Sequence, residues 1–428
     1  MTHTEGRAPG KSTIAARQAA SVGLASIASA AAGYLVIWFV PRVLNKADNA
    51  EFLAFWSALF LLFGILGGLQ TEIIRYVTAL GTDPAGKPRG GTEQPRTVPL
   101  FAVVFGIAAG VALVLVMTSL LWGRAVLGPH WVVLVFVLAG ACVAFSVHAA
   151  LAGVLSGRHL WGNFSALVAS ESSFRLVLVL IVGLLAGSTA GLAAAAAAGA
   201  LAWGLVAVFS PELRSAFRMP LAVPVSDFAR KVGHASISTA ASASLVVGFP
   251  ILYRITTPAD VYLASAPLLL AILLTRAPLM VPLGTFQSVA IAHFVRHRDR
   301  GLTALRPIAL AITGVALVGA VAAYFLGPRL MVLLFGPDYH VAPWILAGLT
   351  AAAAVLALLT LTGGMCVALN RHRVSSVGWV SAGALTLLVL LLPLEADFRA
   401  VASLLIGPLL GVAIHTVALS RRTAVPSV

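Results

Sequence analysis

Charge is what this sequence has least of. Only 14 of 428 residues are acidic and 28 are basic, while 60% are hydrophobic and the mean hydropathy is +1.00. So little polar surface cannot cover a water-soluble globule, which excludes the soluble enzymes and soluble binding modules. The net charge of +14 would suggest a polyanion in a soluble chain, but its distribution along this one points to membrane orientation, and no nucleic-acid partner is expected. Cysteine is nearly absent too. Cys142 and Cys366 each stand alone in an apolar run, without the further ligands a metal site needs and without a disulfide framework. No metal and no cofactor are expected.

What the sequence has instead is long apolar runs. A run of about 20 apolar residues spans a bilayer core as a helix, and such runs fall near 19–40, 52–74, 98–121, 131–155, 163–186 and 190–210, then 234–253, 261–290, 307–326, 343–368, 376–393 and 400–420. The fold class is therefore an all-α membrane protein of about 12 transmembrane helices in two six-helix bundles. Of the 28 Lys and Arg, 20 lie on the side of the N-terminus, 6 on the other side and 2 within helices. The positive-inside rule then puts both termini in the cytoplasm of a multi-pass protein of the cell membrane.

The halves meet at residues 211–231, PELRSAFRMPLAVPVSDFARK. Three prolines there break helices, and Arg214, Arg218, Arg230 and Lys231 hold the segment in water. The organisation read from this is a tail at 1–18, a lobe at 19–210, a basic cytoplasmic linker at 211–231, a second lobe at 232–420 and a tail at 421–428. The tail's GRAPGKST is one residue short of a phosphate loop and follows no strand, so it is a solvated tail. An N-terminal apolar run that continues through Tyr34–Val40 is too long for a cleaved signal and reads as the first crossing. The Gly- and Pro-rich GTDPAGKPRGGTEQPR is a flexible connector. In the sixth crossing, Gly191 to Gly199 offer a small-residue surface for close helix approach. Arg329–Phe335, too short to span and stopped by Gly336-Pro337, reads as a short helix along the outer interface. The second half echoes the first: Asp48 and Phe52-Leu53-Ala54 against Asp260 and Tyr262-Leu263-Ala264, as expected of parallel repeats.

Three stretches carry a family resemblance. VPRVLNKADNAEFLAFWSALFLLFGILGGLQTEIIRYV is a glycine-rich second helix running to an arginine. APLMVPLGTFQSVAIAHFVRHRDRGLTALRPIAL is a proline-containing eighth helix with a basic loop, and LLFGPDYHVAPWILAGL precedes VALNRHRVSSVGWV. Together they resemble the polysaccharide (O-antigen type) flippases of the multidrug/oligosaccharidyl-lipid/polysaccharide exporter superfamily. The resemblance implies a V-shaped pair of lobes that alternates access to a central cavity. Its substrate would be a polyprenyl-diphosphate-linked oligosaccharide bound for a cell-surface polysaccharide, its partners membrane lipids and a polysaccharide polymerase or glycosyltransferases. Twelve helices, rather than the fourteen of the lipid II flippase, argue against a peptidoglycan role. Competing readings are a multidrug or cation antiporter of the same superfamily and a non-transporting scaffold of polysaccharide assembly. A membrane glycosyltransferase or polymerase is weaker, since no Asp-x-Asp pair and no large outer loop occur.

Ionisable residues inside crossings mark the candidate site, because each costs about 2.5–3.5 kcal/mol at the bilayer centre. Glu72 and Arg75 lie near the inner end of the second crossing, where a long side chain can reach water. Glu171 and Arg175 are four residues apart, on one helix face. They form either a structural clamp or a switch in which protonating Glu171 frees Arg175. Arg276, followed by Pro278 and Pro282, lies deeper. Substrate contacts are thus expected from Arg276, Arg175 and Arg75, and coupling from Glu171 and Glu72. His148, His415, Trp56, Trp203, Trp344 and Trp379 read as packing or interfacial groups.

Overall fold

The computed structural model describes residues 10–81, 98–296, 305–369 and 371–420. The apolar runs become helices because a backbone in hydrocarbon must satisfy its hydrogen bonds within its own segment. The first lobe holds α1 (Gly10–Phe39), α2 (Lys46–Gly81), α3 (Leu100–Leu127), α4 (Trp131–Gly157), α5 (Trp161–Leu185), α6 (Thr189–Ala198) and α7 (Ala202–Phe209). After α8 (Pro211–Ala216), the second comprises α9 (Val225–Val246), α10 (Phe249–Thr256), α11 (Ala259–Ala264), α12 (Ala266–Arg296), α13 (Arg306–Phe335), α14 (Pro343–Ala368), α15 (His372–Leu390) and α16 (Ala396–Ser420). The protein is an all-α membrane protein. Ten described helical segments, α6 and α7 counting as one, are long and apolar enough to cross; α9 and α10, bent by 70°, make an eleventh. Where the twelfth crossing is expected, the 31-residue α12 has a shorter apolar part, Ala266–Met280.

The helices run between two ends, the terminal end, where α1 begins and α16 finishes, and the far end. At the far end the lobes share one core. It joins Phe52, Phe55 and Val126 of the first lobe to Tyr253, Tyr262, Phe335 and Tyr339 of the second. At the terminal end, the described residues form two separate cores. One combines Ile73, Val77, Leu100 and Leu151 with the linker and Phe228 of α9; the other is Leu305, Leu361, Met365, Cys366 and Leu419.

Three expectations change in detail. The linker is not a charged connector held only by water. Ser210 caps α8 by accepting from the Leu213 N–H at 3.1 Å, and β1 (Val98–Pro99) pairs antiparallel with β2 (Pro220–Leu221). The Tyr76 hydroxyl donates to the Pro220 carbonyl at 3.0 Å and accepts from the Ala222 N–H at 2.8 Å. Leu213, Met219 and Leu221 are buried while Arg214, Arg218, Arg230 and Lys231 stay exposed, so apolar residues between the charges dock the linker onto the first lobe. Hydrogen bonds from its own N–H and from Ser210 hold the exposed Glu212 carboxyl below the usual carboxylate range.

Second, α1 begins at Gly10, inside the stretch assigned to the tail, because GKSTIAARQAAS contains no residue that stops a helix. Third, Arg329–Phe335 is not a separate interfacial helix. It is the last two turns of α13, which runs through Pro328 and ends only where Gly336 adopts φ +101° and its N–H bonds the Val332 carbonyl. A proline removes one donor and can be carried within a crossing. The Gly/Pro-rich connector at 82–97, the basic loop at 297–304 and the tail at 421–428 lie outside the described residues.

Candidate functional site

The lobes touch along two helices from opposite halves, α2 and α9. At Gly68 a Cβ would collide with the backbone of Ser236, and at Gly64 it would lie 2.6 Å from the Ala243 Cβ. The Thr239 hydroxyl reaches across to the Ile65 carbonyl at 3.2 Å. The glycines that the sequence shows in the second crossing are therefore a contact surface for the other lobe, not only for their own. Just beyond this contact α9 breaks. Gly248 sits so close to Ser244 that an added Cβ would lie 2.7 Å from its carbonyl oxygen, and the chain turns into α10.

A break inside a crossing leaves carbonyls at a helix C-terminus without intrahelical partners. Arg276 of α12 supplies them. Its Nη1 donates to the Val246 carbonyl at 2.7 Å and the Leu245 carbonyl at 3.2 Å, so a cation meets the negative end of α9. Arg276 is 7% exposed. Tyr34 of α1, in the opposite lobe, lies within electrostatic reach of it. No carboxylate pairs with Arg276 among the described residues. A buried guanidinium between α1, α9 and α12 is thus a cation at the lobe junction, held by dipoles rather than by a counter-charge.

Arg175 is placed differently. It lies inside the first lobe, ion-paired with Glu171, and its Nε donates to the Ala196 carbonyl at 3.0 Å. The guanidinium carbon stands 4.6 Å from the Phe60 ring centre, with Phe63 at 5.7 Å and Trp56 at 5.8 Å. Gly199 makes the space, since a Cβ there would be 2.6 Å from that of Arg175. The small-residue face of α6 is what lets an arginine enter this lobe. Phe63 stacks on Phe145 at 3.7 Å, and Phe145 on His148 at 5.1 Å. His148 Nδ1 is buried without a hydrogen-bond partner among the described residues.

Glu72 and Arg75 pair at 2.7 Å, with the Glu72 side chain 8% exposed and that of Arg75 64% exposed. The structure therefore brings each Glu to its Arg but leaves Arg75, Arg175 and Arg276 with separate partners. His415 bonds Thr362 at 2.9 Å and the Ser375 carbonyl at 3.2 Å, in keeping with a packing role.

Sequence reasoning missed the far-end seal. Arg254 and Arg399 are both buried and count by position among the loop cations, yet their side chains turn inward. Arg254 of α10 crosses to the first lobe, donating from Nε to the Ala125 carbonyl at 3.0 Å with its guanidinium 4.6 Å from the Tyr262 ring centre. Arg399 donates to Thr257 at 2.9 Å. Asn49 donates to the Tyr339 hydroxyl at 3.2 Å, the Tyr262 hydroxyl to the Ala50 carbonyl at 3.3 Å, and Arg42 to the Leu334 carbonyl. The signal available was Gly248-Phe249-Pro250, a helix break one turn before an arginine. Each of these bonds is worth on the order of 1–3 kcal/mol, and those of Arg254, Asn49, Tyr262 and Arg42 join the two lobes at the far end.

Comparison with known proteins fits this geometry. No family model matches the chain. It is 38% identical over 410 residues to the uncharacterized protein Rv3630 of Mycobacterium tuberculosis, covering 95% of this chain and 93% of that one. Identity to the uncharacterized protein Rv1510 of the same organism is 37% over 423 residues, 99% and 96% of the two chains. Among solved structures, an inward-facing multidrug resistance MATE family transporter of the MOP superfamily aligns with a TM-score of 0.65 at 12% identity, covering 94% of this chain and 96% of that one. An outward-facing one gives 0.62 at 14%, covering 95% and 97%. The fold is that of MATE-type transporters, and the chain belongs to the family of the mycobacterial proteins.

Proposed function

Starting from membership in that family and from its fold, we propose that this protein is an alternating-access flippase. It moves a polyprenyl-diphosphate-linked oligosaccharide across the cytoplasmic membrane, with both termini in the cytoplasm, for the synthesis of a cell-surface polysaccharide. The terminal end is then cytoplasmic, and the core that the two lobes share at the far end supports an inward-open reading, with α9 alone of the second lobe packing on the first lobe's terminal-end core among the described residues.

The observation that carries the substrate class is the charge left over in the crossings. Glu72 and Glu171 are each paired with an arginine, and the buried Glu51 near the start of α2 lies within electrostatic reach of Arg254. Among the described residues Arg276 has no such partner, and Tyr34 of the opposite lobe lies within its electrostatic reach. A site that binds a cationic drug needs a free carboxylate, whereas a forked guanidinium suits a diphosphate through paired charge-assisted hydrogen bonds. The solved neighbours named above favour a second reading, multidrug export, because they are multidrug resistance transporters.

Proteoliposomes separate the two. Purified protein should carry a fluorescent polyprenyl-diphosphate-linked sugar to the opposite leaflet, and Arg276→Ala should abolish this at normal protein level. Wild-type protein that moves an organic cation and leaves the lipid-linked sugar in place would establish multidrug export instead.

A further inference from the structure

The far-end seal encloses a carboxylate that the proposed substrate site does not use. Glu51 of α2 is 8% exposed, and among the described residues it makes no hydrogen bond and no ion pair. It packs against the turn between α3 and α4, where a Cβ on Gly128 would stand 2.6 Å from Glu51 Oε1. Gly128 has φ +72°, so one glycine both makes the turn and leaves the carboxylate its place. Two bonds between the lobes flank it. The Tyr262 hydroxyl of α11 donates to the carbonyl of Ala50, the residue before Glu51, at 3.3 Å, and Arg254 of α10 donates to the Ala125 carbonyl, three residues before Gly128, at 3.0 Å. Arg254 Nη1 is buried without a hydrogen-bond partner among the described residues. Glu51 and Arg254 thus lie within electrostatic reach across the junction but form no ion pair. The internal repeat sets the acid apart: Glu51 precedes Phe52-Leu53-Ala54, whereas Val261 precedes Tyr262-Leu263-Ala264. An apolar residue serves that step of the second repeat, so the carboxylate is an addition confined to the first.

A carboxylate buried without hydrogen bonds is far more costly as an ion than as the neutral acid, and a cation beyond ion-pair range offsets only part of that cost. Parting the lobes at the far end breaks both flanking bonds and lets water reach Glu51, where the ionised form is the ordinary one. Closing the gate and protonating this one group are therefore linked. Besides Arg254, the titratable groups that act on Glu51 are Asp48 of its own helix, His130 at the start of α4 and Tyr262 of α11. Resting on the topology and the alternating access proposed above, we infer that Glu51 is a proton-operated latch of the outer gate. The far end takes up one proton from the outer solution as it closes and returns it as it opens. Acid outside then favours the inward-open shape, and its absence favours the outward-open one.

The test uses the full chain in lipid nanodiscs without substrate, spin-labelled at Ala47→Cys and Asp338→Cys on the two lobes of the far end, with the distance followed from about pH 5 to about pH 9. The otherwise wild-type protein should be closed at the acid limit and gain a longer-distance population as pH rises. Glu51→Gln, which keeps the shape of the neutral acid, should stay closed throughout, and Glu51→Asp should retain the pH dependence. His130→Gln and Asp48→Asn should retain it too. Should Glu51→Gln fail to reach the membrane, Arg254→Gln answers the same question: with the nearby cation gone the neutral acid is favoured, and the midpoint of opening should rise by about one pH unit or more. A distance that does not change with pH overturns the inference, as does a Glu51→Gln protein that opens like wild type or an Arg254→Gln midpoint that stays in place. Loss of the dependence in His130→Gln or Asp48→Asn while Glu51→Gln keeps it would move the sensor to those residues and equally overturn the latch. The substrate reading is tested apart from this. Proteoliposomes in which the lipid-linked sugar stays in place would sink the flippase while an acid-closed gate that needs Glu51 still stood.

Discussion

Arg175 and Arg276 are both nearly wholly buried inside crossings, at 4% and 7% exposure, yet they keep opposite company. Arg175 is enclosed by its own lobe, with a carboxylate, a carbonyl and three aromatic rings around it. Arg276 touches two carbonyls at the break in α9 of its own lobe, within electrostatic reach of Tyr34 of the other lobe. The first arrangement neutralises a charge where nothing has to move. The second leaves a charge with no carboxylate partner among the described residues. Burial alone therefore does not tell the two apart; the partner and the place do.

The comparison breaks most readily at Glu171. Glu171→Gln leaves Arg175 charged and unpaired in the lobe, which is expected to cost about 3–5 kcal/mol of stability, read as a large drop in the unfolding midpoint of purified protein. Replacing both partners by leucine should recover much of that loss. A Glu171→Gln protein that unfolds like wild type would favour the switch over the clamp, and pH-dependent transport should then vanish in it. Arg276→Gln is predicted to be milder for stability, about 1.5–3 kcal/mol for charged hydrogen bonds, but to abolish flipping; intact flipping would remove Arg276 from the site. Gly68→Leu would drive α2 from α9 and displace the carbonyls that hold Arg276, at about 1–3 kcal/mol from overpacking, and transport should fall with it. Arg75→Ala, with its side chain 64% exposed, is expected to change stability by under about 1 kcal/mol.

Hydrophobic run length was enough to read the all-α membrane class and the number of crossings, because the bilayer fixes the length a helix must have. The spacing of Glu171 and Arg175 likewise announced their pairing, which is a local fact of one helix. What the sequence could not reveal were relations across the chain. Arg254 and Arg399 read as loop cations because hydropathy registers position along the chain, not the direction of a side chain. The linker read as solvated because its arginines dominate its composition, although Leu213, Met219 and Leu221 between them decide where it docks. The partner of Arg276 was not legible either: it is a pair of backbone carbonyls exposed by the bend at Gly248, and main-chain acceptors leave no mark in composition.

Alternating access requires the lobes to exchange which end is joined, and distances across both ends measure that directly. Spin labels at Ala47→Cys and Asp338→Cys span the far end, and labels at Arg158→Cys and Arg373→Cys span the terminal end, all four positions being exposed. The two native cysteines are buried. Pulsed electron paramagnetic resonance on the protein in lipid nanodiscs should show two populations at each end, and a polyprenyl-diphosphate-linked sugar should shift them in opposite senses, the far-end distance lengthening as the terminal-end distance shortens. A single unchanging distance at both ends, with and without that lipid, would contradict alternating access.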